Sequence, residues 1–195
     1  MHELTSICVY CGSHPGHRPE YLQATQTLAR RLAAEGIGIV YGGGDVGLMG
    51  ALADAGLEAG GRVIGIIPES LIEREVAHRS LTELHVVRSM HERKARMADL
   101  SDAFVALPGG LGTLEEIVEV VTWAQLGFHR KPCGLLNVCG YYDRFEAFLE
   151  TMVSEGFVEA RHRTLLTVSH DPEELLLRMR AFEAPLERRW PMGEP

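Results

Sequence analysis

Ala103-Phe104-Val105-Ala106-Leu107-Pro108-Gly109-Gly110-Leu111-Gly112-Thr113-Leu114-Glu115-Glu116 is the stretch that decides how this chain folds. Its first five residues are all apolar, the pattern of a strand covered on both faces rather than one wetted on alternate side chains. Pro108 and the glycines stop the strand, and apolar spacing from residue 114 to about 126 predicts a helix. Strand, tight glycine turn and helix in that order form the repeating unit of a parallel sheet.

The same unit recurs on either side. Residues 7–10 form a short apolar run ending in Cys11-Gly12-Ser13. A helix is expected over 19–35, with Leu22, Leu28, Ala29 and Leu32 on one side and Gly36 as its stop. Residues 37–41 run into Gly42-Gly43-Gly44, followed by a small-residue helix over 48–59 that Gly60 and Gly61 end. A third strand is expected at 62–67. Residues 69–80 are polar and irregular, 84–87 read as a strand and 90–100 as a helix. Beyond the central stretch come a strand at 133–138, a helix at 142–155 and a strand at 165–168. A last helix follows, with Asp171 as its N-cap and Pro172 in its first turn. The expected architecture is α/β: a Rossmann-like, doubly wound, mostly parallel sheet with helices on both faces. It forms one domain over residues 1–184, with 185–195 as a flexible tail.

Composition narrows the partners. The chain has 195 residues, 46% hydrophobic and 24% charged, and a net charge of −8. That balance argues against nucleic acid as a partner, because such binders carry a basic face. A small anion is still compatible, since a few cations and backbone N–H groups suffice to hold one. No apolar run is long enough to span a membrane, and the first residues lack a signal peptide's pattern. Four cysteines in a chain of this size suit a reducing cytoplasm. Cys8 and Cys11 have redox or zinc spacing, but they end a strand, where positions three apart face opposite ways. Cys133 and Cys139 read as small core residues.

Three glycine turns, Cys11-Gly12-Ser13, residues 42–50 and residues 108–113, fall at strand ends, where ligands bind in such sheets. Glycine permits close backbone approach, and a helix start offers N–H groups and a positive dipole end to a phosphate. Gly109, Gly110, Leu111, Gly112 and Thr113 fit that role, with the Thr113 hydroxyl as a further donor. Gly43 and Gly44 belong to a second candidate. Gly42, Gly44 and Gly47 have the spacing of G-x-G-x-x-G but follow the second strand, whereas the classical dinucleotide turn follows the first, and no P-loop sequence is present.

The helix over 90–100 carries Arg93, Lys94 and Arg96, which spacing alone assigns to a solvated charged face. Thr113-Leu114-Glu115-Glu116 admits two readings. Thr-x-x-Glu is a capping box, in which Glu116 bonds the Thr113 amide. Alternatively, Glu116 stands beside a sugar whose phosphate is gripped at the helix start.

Three segments, residues 41–50, Met90 to Ala95 and Pro108 to Glu116, together resemble the lonely-guy family. These are cytokinin riboside 5′-monophosphate phosphoribohydrolases, long labelled possible lysine decarboxylases. The family pattern P-G-G-x-G-T-x-x-E is matched at Pro108, Gly109, Gly110, Gly112, Thr113 and Glu116. The resemblance implies a Rossmann-like fold and a homodimer with its active site near the subunit interface. It implies Arg93 and Glu116 as the catalytic pair. Contacts to a nucleoside monophosphate are implied for Glu75, Lys94, Thr122 and residues 110–113, with Ser13, Gly43, Gly44 and Met90 as further candidates. Asp45 departs from the small hydroxyl residue of many relatives. An acid there opposes a phosphate, which favours the turn at 110–113 as the anion site.

The expected reaction is hydrolysis of the bond between base and ribose phosphate. Glu116 would stabilise the cationic sugar and orient water, as carboxylates do in glycoside hydrolases. Arg93 would hold the phosphate or ribose, or steady charge on the departing base; its high pKa makes it a poor proton donor. No metal and no organic cofactor is required. The alternatives are a nucleotide sensor or carrier without catalysis, a pyridoxal phosphate-dependent lysine decarboxylase, and an NAD-dependent dehydrogenase. The decarboxylase needs a Schiff-base lysine, and the chain has only Lys94 and Lys131. The dehydrogenase lacks the fingerprint after the first strand.

Overall fold

The strands are almost wholly buried, as their unbroken apolar sequences require. The computed structural model describes residues 3–72 and 76–185. In chain order its elements are β1 (Ser6–Tyr10), α1 (Pro19–Ala34), β2 (Gly38–Tyr41), α2 (Gly47–Glu58), β3 (Val63–Pro68), β4 (Glu83–Val87) and α3 (Met90–Asp99). There follow β5 (Ala103–Ala106), α4 (Leu111–Gln125), β6 (Cys133–Leu136), α5 (Asp143–Ser154), α6 (Ala160–Arg163), β7 (Leu166–Ser169) and α7 (Pro172–Arg180). The strands form one sheet in the order β4-β3-β2-β1-β5-β6-β7. Every neighbouring pair is parallel. β4, at one edge, shows the alternating burial of a strand with a wet face.

Side chains alternate along each strand and so feed two cores. Ile7 and Val9 of β1 join Leu28 and Leu32 of α1, Leu52 of α2 and Leu175 of α7 on one face. Cys8 and Tyr10 join Met97 of α3 and Ile117 and Val120 of α4 on the other, where Phe145 and Leu149 of α5 also pack. Cys11 lies with the first group and Cys8 with the second, so the two thiols face apart as the strand period predicts.

Several expectations need correction. Leu22 is 36% exposed. The buried stripe of α1 runs instead through Tyr21, Thr25, Leu28 and Leu32, and Leu22 is a quarter-turn off it. Cys139 is exposed rather than core. β6 stops at Leu136, and Asn137 then takes the Tyr142 amide on its side-chain oxygen at 2.7 Å. That bond starts a turn in which Cys139 has φ +53. The largest correction concerns α4. It begins at Leu111, three residues before the expected start, with Gly110 as its N-cap. The cap of α7 is as expected: Asp171 accepts from the Glu174 amide at 2.9 Å. The tail after Pro185 lies outside the described residues, as does Glu75.

The chain builds outward from β1 through β2, β3 and β4, then returns to β1's other edge as β5. That reversal leaves a crevice beyond the carboxyl ends of β1 and β5. Phe104 of β5 is fully buried in the core on the α3–α4 face. Phe104→Ala is expected to lower the unfolding free energy by about 3–5 kcal/mol, read from urea denaturation.

Candidate functional site

At that reversal lies a cleft of about 320 Å³. Its floor is the end of β1, with Val9, Tyr10 and Cys11. Gly42 and Met49 close one side, and Met90, Arg93 and Met97 of α3 another. The opposite wall is the start of α4, from Gly110 to Thr113 and on to Glu115 and Glu116. Ser13 and Leu71 stand at its border.

Arg93 is 5% exposed, which overturns the reading of α3 as an evenly solvated basic face. Its Nε donates to the Ile66 carbonyl at 3.1 Å and its Nη2 to the Gly42 carbonyl at 2.9 Å. The ends of β2 and β3 therefore orient the fork. These two acceptors carry no formal charge. A Cβ at Gly42 would stand 2.1 Å from Nη2, so a side chain there displaces the fork. Ser89 caps α3, accepting from the Glu92 amide at 3.1 Å, and so fixes the turn that presents Met90 and Arg93.

The start of α4 is held just as closely. The Gly12 amide donates to the Pro108 carbonyl at 3.1 Å, and the Gly12 carbonyl accepts from Leu48 at 3.0 Å, so one residue links both larger glycine turns. The Tyr141 hydroxyl donates to the Gly109 carbonyl at 2.5 Å, and the Tyr142 hydroxyl to that of Leu107 at 2.7 Å. Gly110, in extended conformation, offers no side-chain cap. The first amides of a helix have no acceptor within it. Here they border the cleft together with the positive end of the helix dipole.

Because α4 begins at Leu111, Thr113 is its third residue and Glu116 lies in the second turn. Thr113 is not an N-cap, so the capping-box reading of Glu116 fails. Thr113 is 4% exposed and packs against Gly109, where a Cβ would meet its Oγ1 at 2.1 Å. The position of Glu116 is registered by its neighbours. Burial pushes the Cys8 and Cys11 thiols and the Tyr10 hydroxyl above their ordinary pKa values, and the negative charge of Glu116 adds to the rise at each. The Arg93 charge opposes it at Cys8. The thiols under the cleft are thus held neutral and are poor nucleophiles.

Of the residues expected at the site, Ser13, Met90, Arg93, Gly110, Leu111, Gly112, Thr113 and Glu116 line the cleft. Gly109 lies just behind its wall. Gly43 and Gly44 do not line it. The Gly43 carbonyl accepts from His78, and that of Gly44 from the Tyr41 hydroxyl. Lys94 instead pairs with Glu115 and Glu119 of α4, at 2.7 and 2.9 Å. Thr122 is exposed on α4 and borders an apolar groove with Val118 and Phe145. Sequence reasoning missed Tyr10, Cys11, Gly42, Met49 and Leu71. The rule that ligands sit beyond strand ends pointed to the first three. Met49 lay within the segment 41–50 without being singled out, and Leu71 carried no signal.

A doubly wound parallel sheet with an anchored arginine, an acid and an open helix start at its topological reversal defines a Rossmann-like α/β protein with an anion-receptive cleft. Comparison with known proteins narrows the class. The family profile described as possible lysine decarboxylase matches residues 49–179. The cytokinin riboside 5′-monophosphate phosphoribohydrolase LOG of Oryza sativa subsp. japonica is 50% identical over 176 residues, covering 90% of this chain and 73% of that one. A phosphoribohydrolase of the same name from Arabidopsis thaliana is 47% identical over 177 residues, covering 91% and 82%. The chain belongs to this family, the lonely-guy family. Among solved structures, the molybdenum cofactor carrier protein of Chlamydomonas reinhardtii aligns with a TM-score of 0.69 at 23% identity, covering 92% of this chain and all of that one. The molybdenum cofactor binding protein of Rippkaea orientalis aligns at 0.68 and 22%, covering 92% and 97%. At that identity the likeness is one of fold.

The tight contact between Gly109 and Thr113 gives a stability prediction. Gly109→Ala should cost about 1–3 kcal/mol through overpacking. Gly110→Ala meets nothing within 4 Å and should cost less than about 1 kcal/mol. Urea midpoints of the two variants test the contrast.

Proposed function

We propose that this protein hydrolyses the N-glycosidic bond of adenosine 5′-monophosphates, N6-modified ones included, to free base and ribose 5-phosphate. The observation that carries the reading is the meeting of Arg93, Glu116 and the open start of α4 in one cleft. Half-identity with the rice phosphoribohydrolase along nearly the whole chain supports the same chemistry. The catalytic unit is the single domain over residues 1–184, working in the cytoplasm.

The amides at residues 111–113 take the 5′-phosphate, which fixes the position of the sugar. Glu116 lies one turn deeper. As the C1′–N bond breaks, positive charge grows on the ribose, and the carboxylate stabilises it and orients the attacking water. The water oxygen bonds to C1′, the bond's electron pair departs with the base, and the proton that the water loses ends on the base nitrogen. Arg93, charged and held by carbonyls, steadies the phosphate or the negative charge developing on the base. Met49, Met90 and Leu71 give the cleft an apolar side suited to a purine face. A decarboxylase reading finds no support: Lys94 is engaged with two glutamates, and Lys131 donates to the Ala98 carbonyl at 2.8 Å.

The protein also works as a homodimer in this proposal. Val118, Val121, Phe145, Leu149 and Met152 border an apolar groove of about 190 Å³ on α4 and α5. Phe148 and Phe157 are exposed on the neighbouring surface. α4 runs from the cleft to this groove, so an interface there lies beside the site and covers Thr122.

Glu116→Gln removes the charge and keeps the shape. With AMP it should lower kcat by at least about a hundredfold, and wild type should turn over adenosine far more slowly than AMP, both read as free adenine by chromatography. Full activity of the glutamine variant, or equal use of adenosine and AMP, contradicts the mechanism. Sedimentation should give twice the 21.5 kDa chain mass, and Val118→Asp should shift it toward the single chain.

A further inference from the structure

His78 is 5% exposed, lies outside the cleft lining and has no part in the hydrolysis described above. It nevertheless makes three directed hydrogen bonds. Its main-chain N–H donates to the Gly43 carbonyl at 3.0 Å. On the ring, Nδ1 accepts from the Ser80 N–H at 3.2 Å, and Nε2 lies 3.0 Å from Asp54 Oδ1. An Nδ1 that accepts leaves the proton of a neutral imidazole on Nε2, which therefore donates to Asp54. Asp54 belongs to α2, the helix that leaves the first glycine turn.

Around this ring the chain after β3 is sewn to the first glycine turn. The Asp45 N–H donates to the Val76 carbonyl at 2.9 Å, and Gly44 pairs with Ala77 in an antiparallel bridge. The turn held in this way begins with Gly42, whose carbonyl grips Arg93. Gly43 has φ +79, and a Cβ there would come within 3.4 Å of Ile67 and Leu84, so the turn adopts a conformation that few other residues tolerate.

We infer that His78 is a positioning residue: by clamping residues 76–80 to the first glycine turn and to Asp54, it holds the Gly42 carbonyl where it aims the Arg93 guanidinium into the cleft. The inference rests on the reading that Arg93 serves hydrolysis. Asp45, Asp54 and His78 also place three ligand atoms within 4.8 Å of one another, the spacing of a metal site. The ring's hydrogen bonds oppose that use. A ligating histidine donates from its second nitrogen, whereas here the second nitrogen accepts and the first carries the proton.

The test compares His78→Asn, His78→Gln and Asp54→Ala with wild type on AMP. Asparagine places an acceptor near Nδ1 and loses the donor to Asp54; glutamine restores an N–H near Nε2. The asparagine and alanine variants should lose kcat by about tenfold or more, the cost of a misplaced cleft group, with KM moving by less than about threefold. Glutamine should recover most of the rate. The double variant His78→Asn/Asp54→Ala should be no slower than the worse single, because both changes break one bond. In parallel, the Arg93 Nε–H resonance in NMR spectra should shift in His78→Asn and return in His78→Gln. Wild-type kcat in the first two variants, equal losses for asparagine and glutamine, or an unmoved Arg93 resonance overturns the inference. So does turnover that EDTA abolishes and Zn²⁺ restores, which would make the cluster a metal site. If wild type releases no adenine, the hydrolytic reading fails, and the Arg93 resonance still decides whether His78 positions the arginine.

Discussion

Two hydrogen bonds from Arg93, to the carbonyls of Gly42 and Ile66, tie α3 to the ends of β2 and β3. A guanidinium that is nearly out of water is costly unless its donors are met. Carbonyls at strand ends meet them at fixed positions, and the arginine's direction is then set by the sheet rather than by its flexible stem. Much else follows from that arrangement. A side chain at Gly42 would displace the fork, and the turn after β2 has to bring its carbonyl inward. The other wall is set by a separate device: Gly12 bonds to Pro108 and Leu48, and the tyrosines at 141 and 142 brace the strand end and glycine turn before α4. The cleft is where two braced walls, linked through Gly12, face each other.

The acid on the second wall owes its place to a helix that starts early. With Gly110 as N-cap, the first turn is Leu111-Gly112-Thr113, and Glu116 is carried on to the next turn. Thr113 then packs inward against Gly109 in place of capping. The glycines that make the turn tight also leave room for an anion at the first amides. Structure thereby removes the capping-box reading of Thr-x-x-Glu.

The fold was legible because its signals are periodic and long. Unbroken apolar runs such as 103–107, separated by helix-length segments, leave few arrangements besides a parallel sheet. Boundaries were less legible. The expected start of α4 was wrong because glycine after proline reads as loop, although in a first turn the amides need no partner and glycine is tolerated. The charged face of α3 was misread for a related reason: spacing tells which residues share a face, not that strand-end carbonyls wait to receive Arg93. Motif resemblance supplied Arg93 and Glu116 directly. It did not supply Met49, Leu71 or His78, whose positions depend on contacts between segments far apart in the chain. Lys94 and Thr122 lie on α3 and α4 as expected; Lys94 pairs with Glu115 and Glu119, and the Thr122 hydroxyl donates to the Val118 carbonyl.

The strand order has a bearing on how the molecule is made. β1 sits at the centre of the sheet, and Ile7 pairs with Ala103 along one of its edges. During synthesis the amino-terminal half can assemble β1 through β4, but the far edge of β1 stays bare until residues near 103 emerge. Pairings between such distant segments form slowly, since the intervening chain has to be ordered first. The cleft lies along this seam, so the nascent protein acquires its fold from one side and its chemistry only when the second half docks.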